Sequence, residues 1–274
     1  MALSDDLMND VSSILSNNWN IRDGQVVPFS DQVTLAGGAV RLEATMLYAD
    51  LADSTDLAMK FDRRVAAKVF KSFLTCSSRI IRARGGEIRS FDGDRVMGIF
   101  VGPLKNTSAA KCALNINYAF TEIIKPRLEA KYSQFRTDYK LAHCVGVDTS
   151  EVLVVRGGVV NHNDLVWVGR APNVAAKLSA LREHPYHSFI TAAVYNKLQD
   201  NIKVSPDGSY MWEQRTWNAV DGVNREFIAL VGGGSPNASE ALSGYLTPNP
   251  STTFLSSVQT GASDVVRLPP LRKT

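Results

Sequence analysis

The sequence has few cysteines, and their spacing fits neither a zinc site nor a disulfide framework. Its 274 residues include three, Cys76, Cys112 and Cys144, and no CxxC motif. Structural zinc sites use closely spaced cysteines and disulfide frameworks use an even number, so neither is expected here. Each cysteine lies in an apolar stretch, and we interpret all three as small buried hydrophobic residues rather than catalytic thiols.

The sequence also lacks a long apolar run and a large excess of either charge. No segment approaches the roughly 20 apolar residues that a membrane span requires. The N-terminus, MALSDDLMND, carries acids where a secretory signal carries basic residues. Thirty Lys and Arg against 27 Asp and Glu leave +3, too little to indicate a nucleic-acid polymer as partner. We therefore expect a cytoplasmic protein that binds neither membranes nor nucleic-acid polymers, although a few local charges could hold one polyanionic ligand.

The chain divides by composition into three parts. Residues 1–40 are mixed and contain apolar residues at helical spacing, which predict a short amphipathic helix: Leu3, Leu7, Val11, Ile14 and Leu15. Residues 41–235 carry the strong strand and helix patterns. Residues 236–274 are rich in Gly, Ser, Pro, Thr and Asn, which predicts a low-complexity tail.

Strand-like and helical segments alternate within the central part. Residues 43–51 form an apolar run typical of a buried strand, and residues 63–84 have the period of a helix that ends at a Gly-Gly pair. Asp92-Gly93 between two strand-like runs predicts a hairpin. Further predicted elements are a helix at 106–130, strands at 140–147 and 151–155 around a turn at 148–150, a strand at 165–168 and a helix at 171–181. This order predicts an α+β fold with helices packed on a mostly antiparallel sheet.

Two aspartates stand out by position. Asp50 lies at the C-terminal end of the first core strand, and Asp94 follows the hairpin turn. If the hairpin lies beside that strand, the two carboxylates meet at one sheet edge and repel each other unless a cation lies between them. Mg²⁺ is often held by one or two carboxylates plus substrate phosphates, and the helix that opens after Asp50 offers free N–H groups to phosphate. From the pattern alone, ordinary strand-end and turn residues remain the alternative. An EF-hand is excluded, because no ligand follows at Val96 and no glutamate closes the loop.

Three motifs resemble those of the class III adenylate and guanylate cyclases. Residues 48–55 (YADLADST) resemble their first metal motif, F-x-D-I-x-G-[FS]-T. Residues 88–100 (IRSFDGDRVMGIF) resemble the second, with Gly-Asp at the hairpin turn, and residues 166–177 (VWVGRAPNVAAK) resemble G-x-x-V-N-x-A-x-R. The three occur in the expected order. The resemblance implies a nucleotidyl cyclase with a ferredoxin-like, class III cyclase fold, in which residues 41–235 form the catalytic domain.

The resemblance also implies roles for individual residues. Asp50 and Asp94 become the ligands of two divalent cations, Mn²⁺ or Mg²⁺, with the backbone carbonyl of Leu51 as a third ligand. Asn173 matches the asparagine that orients the ribose. Lys177 stands where most relatives have the arginine that stabilises the transition state.

Several features near these positions qualify the assignment. A lysine at 177 keeps the charge but lacks the guanidinium fork, so Arg170 is an alternative transition-state cation. Asp53 replaces a usual glycine, and we expect its side chain to cap the next helix.

In this family one chain supplies the aspartates and its partner supplies the asparagine and the cation. Because this chain holds both sets, the resemblance implies a symmetric homodimer with two sites.

The positions that read the base depart most from the purine cyclases. Those enzymes commonly have Lys or Glu where this chain has Ser90, and Asp, Cys or Thr where it has Val166. A site built to hydrogen-bond one base rejects others, because its polar groups would go unpaired. With Tyr48 in place of the common Phe and Arg89 beside Ser90, the combination resembles the pyrimidine cyclases of bacterial Pycsar anti-phage systems. That resemblance implies UTP as substrate, with CTP as the alternative, and a cyclic product that activates a separate effector protein. Plain core packing of Tyr48 and Val166 is the alternative interpretation.

The same residues bear on three other functions. A diguanylate cyclase or polymerase palm would normally show a Gly-Gly-Asp/Glu-Glu/Asp-Phe turn, and residues 91–94 read Phe-Asp-Gly-Asp. A catalytically dead regulatory domain would be expected to have lost one of the two aspartates. An ordinary adenylate or guanylate cyclase also remains an alternative. The histidines at 143, 162, 184 and 187 have no catalytic-triad context.

Overall fold

The fold is built on one sheet with helices on both faces. The structure, a computed structural model, describes residues 2–205, 208–218 and 224–230, so the predicted tail at 236–274 lies outside the described residues. The strands are β1 (Asn20–Asp23), β2 (Gly38–Leu51), β3 (Glu87–Asp92), β4 (Arg95–Phe100), β5 (His143–Val159), β6 (His162–Gly169), β7 (Ser188–Thr191), β8 (Trp212–Asn218) and β9 (Asn224–Leu230). The helices are α1 (Leu3–Ser16), α2 (Ser54–Lys60), α3 (Arg63–Ala83), α4 (Lys105–Tyr118), α5 (Lys125–Lys131), α6 (Gln134–Thr137), α7 (Arg170–Ser179) and α8 (Ala192–Tyr195).

The described strands are ordered β3-β4-β2-β5-β7-β9-β8, with β1 beside the start of β2 and β6 beside the end of β5. The pairs β1–β2 and β5–β7 are parallel, and the other described pairs are antiparallel. The predicted α+β fold with a mostly antiparallel sheet is therefore confirmed.

The centre of the sheet is a long antiparallel ladder between β2 and β5, from Ala39 opposite Val155 to Leu51 opposite His143. The prediction of two strands around a turn at 148–150 was wrong, because β5 is continuous through these residues. The reason is that β2 runs alongside the whole segment and supplies hydrogen-bond partners for its backbone. Thr149 also donates its hydroxyl hydrogen bond to the Ala44 carbonyl at 3.2 Å, which satisfies this polar side chain inside the sheet.

Alternate side chains of β2 point to opposite faces of the sheet. Leu47, Ala49 and Leu51 pack in a core with α3 and α4 on one face. On the other face, Ala44 and Met46 pack in a second core that includes Ala171 and Ala175 of α7. Tyr48 and Asp50 share this second face, so α7 lies on the same side of the sheet as the predicted site.

The predicted helix at 106–130 is interrupted. A π-helical segment, Ala119–Ile124, separates α4 from α5. The sequence places Ile123 in phase with the buried residues of α4, but it is 37% exposed while Ile124 is 5% exposed. A π-turn inserts one extra residue into the helical repeat, which moves the buried position along the chain by one.

The predicted N-terminal helix is present as α1 and is exposed along its length. None of the residues of α1 is buried. The following segment contains β1, a strand that the sequence did not predict. Val27 and Val33, which come after β1, pack in the core beside β2. The division into domains at residues 40 and 235 stays a prediction.

Two compositional predictions have a structural outcome. Cys112 and Cys144 are buried as predicted, whereas Cys76 is only half-buried at the edge of the core because α3 turns that side chain partly to solvent. Burial raises the pKa of the Cys112 and Cys144 thiols, which disfavours the reactive thiolate. Among the described residues, no helix combines the length and apolar character needed to cross a membrane.

Candidate active site

A pocket at the C-terminal end of β2 collects the predicted metal ligands. Ala49 of β2 pairs with Val96 of β4, so Asp50 and Asp94 lie just beyond this pair at one corner of the sheet. The lining residues are Asp50, Leu51, Asp53, Ser54, Thr55, Asp56, Asp92, Gly93, Asp94, Arg95 and Arg182. The structure therefore brings Asp50, Leu51 and Asp94 together.

The pocket is strongly acidic. Five aspartates against two arginines give its lining a formal excess of three negative charges. Burial raises the pKa of Asp50, and the neighbouring Asp94 raises it further, while Arg182 opposes both effects. Oδ2 of Asp94 is buried, and no donor among the described residues reaches it. Two close carboxylates with a buried oxygen that lacks a donor match the ligands that a hard divalent cation requires.

The aspartates alone do not complete a metal site. No group of three or more His, Cys, Asp or Glu side chains in the described part of the chain could hold a metal ion. Mg²⁺ usually keeps several waters and binds through one or two carboxylates plus substrate phosphates. The donor set therefore fits a cation that binds together with a phosphate-bearing substrate.

The loop after β2 is held from outside the pocket. The hydroxyl of Tyr139 donates a hydrogen bond shared between the carbonyl oxygens of Ala52 and Asp53, at 3.1 and 2.8 Å. Burial and the nearby acids raise the pKa of Tyr139 to about 12, so the phenol stays protonated and remains a donor. This contact fixes the backbone beside the Leu51 carbonyl.

The expectation that Asp53 caps the next helix was wrong. Asp53 occupies the N-cap position of α2, but its side chain makes no capping hydrogen bond. Its φ is 55°, in the left-handed region, whereas a capping residue normally has an extended backbone. The Asp53 side chain instead lines the pocket.

Two of the predicted base-reading residues meet beside the aspartates. Tyr48 donates its hydroxyl hydrogen bond to Sδ of Met97 at 3.1 Å, and the Ser90 hydroxyl lies 3.6 Å from the same sulfur. The guanidinium of Arg95 lies 5.3 Å from the centroid of the Tyr48 ring. Burial raises the pKa of Tyr48. A packed cluster of Tyr48, Ser90 and Met97 thus adjoins the acidic pocket.

Arg89 is placed differently. It lies at an irregularity in the ladder between β3 and β4, where Ile88 and Ser90 are the paired neighbours. Its guanidinium forms an ion pair with Glu87 at 2.9 Å and lies 5.4 Å from the centroid of the Phe29 ring. A role for Arg89 in base recognition stays a prediction.

The remaining predicted residues form a second group on β6 and α7. Asn173 and Lys177 are both exposed and lie one helical turn apart. The Asn173 side chain donates a hydrogen bond to the Gly169 carbonyl at 3.0 Å. Val166 of β6 is 45% exposed. None of these three lines the pocket that holds Asp50 and Asp94, so within one chain the two groups of predicted residues lie apart.

Arg170 anchors the start of α7. Its guanidinium donates to the Thr149 carbonyl at 2.7 Å and to Oδ1 of Asp148 at 3.1 Å. Asp148 is fully buried and also accepts a hydrogen bond from Thr191 at 2.6 Å. These contacts engage the Arg170 guanidinium within its own chain, and both Arg170 and Lys177 are exposed.

Sequence reasoning missed Arg182, which follows α7. Its Nη2 lies 3.4 Å from Oδ2 of Asp50, and the residue lines the pocket. The two residues are 132 positions apart, and no motif at residue 182 links it to the metal ligands. Only the packing of α7 on the sheet brings them together.

Comparison with known proteins identifies the family. No protein-family model matches this chain. A uridylate cyclase from Rhodovulum sp. (strain MB263) is 49% identical over 223 residues, which cover 81% of this chain and 93% of that protein. Uridylate cyclases from Burkholderia cepacia and Xanthomonas perforans are 44% and 42% identical, over 80% and 81% of this chain and 93% and 94% of their own lengths. This chain belongs to the uridylate cyclase family.

Solved structures confirm the class III fold of this cyclase. A bacterial light-regulated adenylyl cyclase superposes with a TM-score of 0.60 at 22% identity, covering 75% of this chain and 56% of that one. The adenylyl cyclase CyaB from P. aeruginosa gives a TM-score of 0.56 at 21% identity, covering 73% and 98% of the two chains. The cyclase is therefore a nucleotidyl cyclase with the class III architecture that its motifs indicate.

Proposed function

We propose that this cyclase converts UTP to 3′,5′-cyclic UMP and pyrophosphate at sites shared by two identical chains. The observation that carries the proposal is the pocket containing Asp50 and Asp94, in a chain 42–49% identical to three uridylate cyclases. CTP, giving cyclic CMP, is the alternative substrate.

Asp50, Asp94 and the carbonyl of Leu51 would hold two divalent cations, Mn²⁺ or Mg²⁺. When bound, such cations lower the pKa of the ribose 3′-hydroxyl and neutralise charge on the attacking and leaving oxygens. Without them, the acidic lining of the pocket would repel a triphosphate. Tyr139 contributes by fixing the loop that carries the Leu51 carbonyl.

The reaction is an in-line displacement within one nucleotide. The 3′-oxygen forms a bond to the α-phosphorus, the bond from that phosphorus to the pyrophosphate oxygen breaks, and the hydroxyl proton passes to solvent. Positioning and electrostatic stabilisation supply most of the catalysis in phosphoryl transfer, so no protein nucleophile is required. Asn173 orients the ribose, and Lys177 stabilises the charge that develops on the α-phosphate.

The separation of the two half-sites supports a homodimer. Within one chain, Asn173 and Lys177 are exposed and do not line the pocket of Asp50 and Asp94. A two-fold axis that places α7 of one chain over the pocket of the other would complete two equivalent sites.

The base-reading cluster supports a small base. The Tyr48 ring is fixed by its hydrogen bond to Met97 and by Arg95. Ser90 offers only a short hydroxyl in place of the Lys or Glu of the purine cyclases, and Val166 offers no hydrogen-bonding group. Relative to the common Phe, Tyr48 adds a hydroxyl, which would narrow the space for the base.

The product would act as a second messenger. We propose that cyclic UMP activates a separate effector protein in bacterial anti-phage defence, in the cytoplasm. The support is the resemblance to the Pycsar cyclases together with the uridylate cyclase relatives.

The decisive assay offers the purified protein ATP, GTP, CTP and UTP separately with Mn²⁺ and identifies the cyclic products. UTP should give the highest kcat/KM. Turnover of none of the four would contradict the proposed activity. Turnover of ATP or GTP alone would contradict a pyrimidine substrate, and a preference for CTP would replace UTP by the alternative.

A further inference from the structure

We propose that Arg182 is a triphosphate-binding residue of the chain that supplies the aspartates, and that it pairs with Asp50 until cation and nucleotide arrive. The inference rests on the proposed function, and it adds a phosphate contact to the half-site that otherwise presents mainly acids.

The ion pair between Arg182 and Asp50 is weak enough for a ligand to replace it. Its length, 3.4 Å, exceeds the roughly 2.7–2.9 Å of a strong charge-assisted hydrogen bond. The Arg182 side chain is 37% exposed, and that of Asp50 is 17% exposed. An ion pair this long and this open to water stabilises the fold little. Arg182 can therefore leave Asp50 at small cost.

The guanidinium would keep its place after such an exchange. Nη1 of Arg182 donates to the carbonyl oxygens of Ser179 and Leu181, at 3.1 and 3.0 Å. These contacts hold the side chain against the C-terminal end of α7, independently of Asp50. Nη2, the nitrogen that faces Asp50, is the part of the fork directed into the pocket.

The second arginine of the pocket is already engaged with other side chains. Arg95 forms an ion pair with Asp92 at 2.7 Å and lies over the ring of Tyr48. Of the two arginines that line the pocket, Arg182 thus has the weaker attachment to an acid.

Charge balance gives the exchange its direction. Once the Asp50 carboxylate ligates a cation, its charge is neutralised and Arg182 loses its electrostatic partner. A triphosphate brings new negative oxygens to the same pocket, and the planar guanidinium matches phosphate geometry better than an ammonium does. Arg182 would then contact the phosphates that leave as pyrophosphate.

The test measures two binding constants for Arg182→Ala, both without turnover. Binding of Mn²⁺ to the protein alone is followed by the electron paramagnetic resonance of free Mn²⁺. Binding of 3′-deoxy-UTP, which lacks the attacking hydroxyl, is measured by calorimetry at saturating Mn²⁺. Mn²⁺ should bind a few-fold more tightly because its competitor for Asp50 is gone. The nucleotide should bind roughly tenfold more weakly, the loss expected for one charge-assisted contact.

Two further variants sharpen the test. Arg182→Lys keeps the charge without the fork and should fall between wild type and Arg182→Ala in nucleotide affinity. Arg64→Ala is the matched control, because Arg64 forms a 3.0 Å ion pair with Asp62 and neither residue lines the pocket. It should leave both constants unchanged.

Each other outcome overturns a specific claim. If Arg182→Ala and Arg182→Lys weaken Mn²⁺ and nucleotide together and lower Tm, Arg182 is merely structural. If neither constant changes, Arg182 has no role in binding. If the wild-type protein binds neither Mn²⁺ nor the nucleotide, the proposed function itself fails.

Discussion

Asp50 and Asp94 are prepared for a cation in different ways. Asp50 is partly neutralised by Arg182, and burial raises its pKa. Asp94 instead keeps one buried oxygen that no described donor reaches. A carboxylate in this second state gains most from a cation, because nothing else in the described structure satisfies that oxygen.

At the residue scale, we predict that Asp94→Asn lowers kcat/KM at least about 100-fold, or about 2.7 kcal/mol of transition-state stabilisation. The amide preserves the shape of the side chain but removes the charge that a divalent cation needs. Tm should stay unchanged or rise, because the repulsion with Asp50 is relieved. Steady-state kinetics and thermal unfolding check both effects.

Asp56→Asn is the matched control for this prediction. Asp56 lines the same pocket but forms a 2.9 Å ion pair with Lys60. Its replacement should change kcat/KM only slightly. An equal loss in both variants would indicate that the pocket needs only bulk negative charge, and full activity in Asp94→Asn would remove Asp94 from the metal site.

The residues that could be predicted from sequence are those inside local motifs. Asp50 and Asp94 each belong to a short pattern whose chemistry is readable from its neighbours. Arg182 and Tyr139 act on the same pocket from far along the chain, at 132 positions from Asp50 and 86 positions from Asp53. No local pattern encodes such contacts, since they arise only when α7 and the segment before β5 pack around the end of β2.

At the element scale, α7 depends on its close approach to β5. A Cβ on Gly146 would overlap the Ala175 carbonyl and the Ser179 amide of α7. Arg170 fixes the start of the same helix through Asp148. The position of Asn173 and Lys177 therefore follows from how α7 lies on the sheet.

We predict that Gly146→Ala lowers kcat/KM and destabilises the fold by about 2 kcal/mol or more, because backbone atoms of α7 must move. Gly98→Ala is the control on the same sheet, since the three atoms nearest to its added methyl all belong to the Ile81 side chain, at 3.0 to 3.3 Å. It should affect stability less and leave kcat/KM nearly unchanged. Equal activity loss in both variants would show that α7 is not specially sensitive.

The elements show where periodicity succeeds and where it fails. Helix α3 begins at the predicted residue and ends within one residue of the prediction, because a clear 3.6-residue apolar pattern ends at Gly85. The sequence predicts two strands in place of β5, because Asp148 and Thr149 are residue types that favour turns. Tertiary contacts with β2, Arg170 and Thr191 give both residues partners inside the strand, and no local rule supplies that information.

At the scale of the whole molecule, the order of elements was enough to predict the fold class, but not the complete sheet. Strand β1 has four residues, all of them exposed, and so has no apolar alternation for sequence reasoning to detect. It pairs with the start of β2, and this pairing depends on how the segment between the two strands folds back. The proposed shared site, in contrast, was suggested by the motifs, since one chain contains both the aspartates and the Asn173–Lys177 helix.

The central claim is that a working site needs the aspartates of one chain and the α7 of another. Asp50→Asn and Asn173→Ala should each be nearly inactive as homodimers. After mixing and subunit exchange, half of the dimers would be heterodimers, each with one intact and one doubly altered site. The mixture should therefore recover about one quarter of the wild-type turnover of UTP. If mixing restores no activity although subunit exchange is demonstrated, the shared site is contradicted.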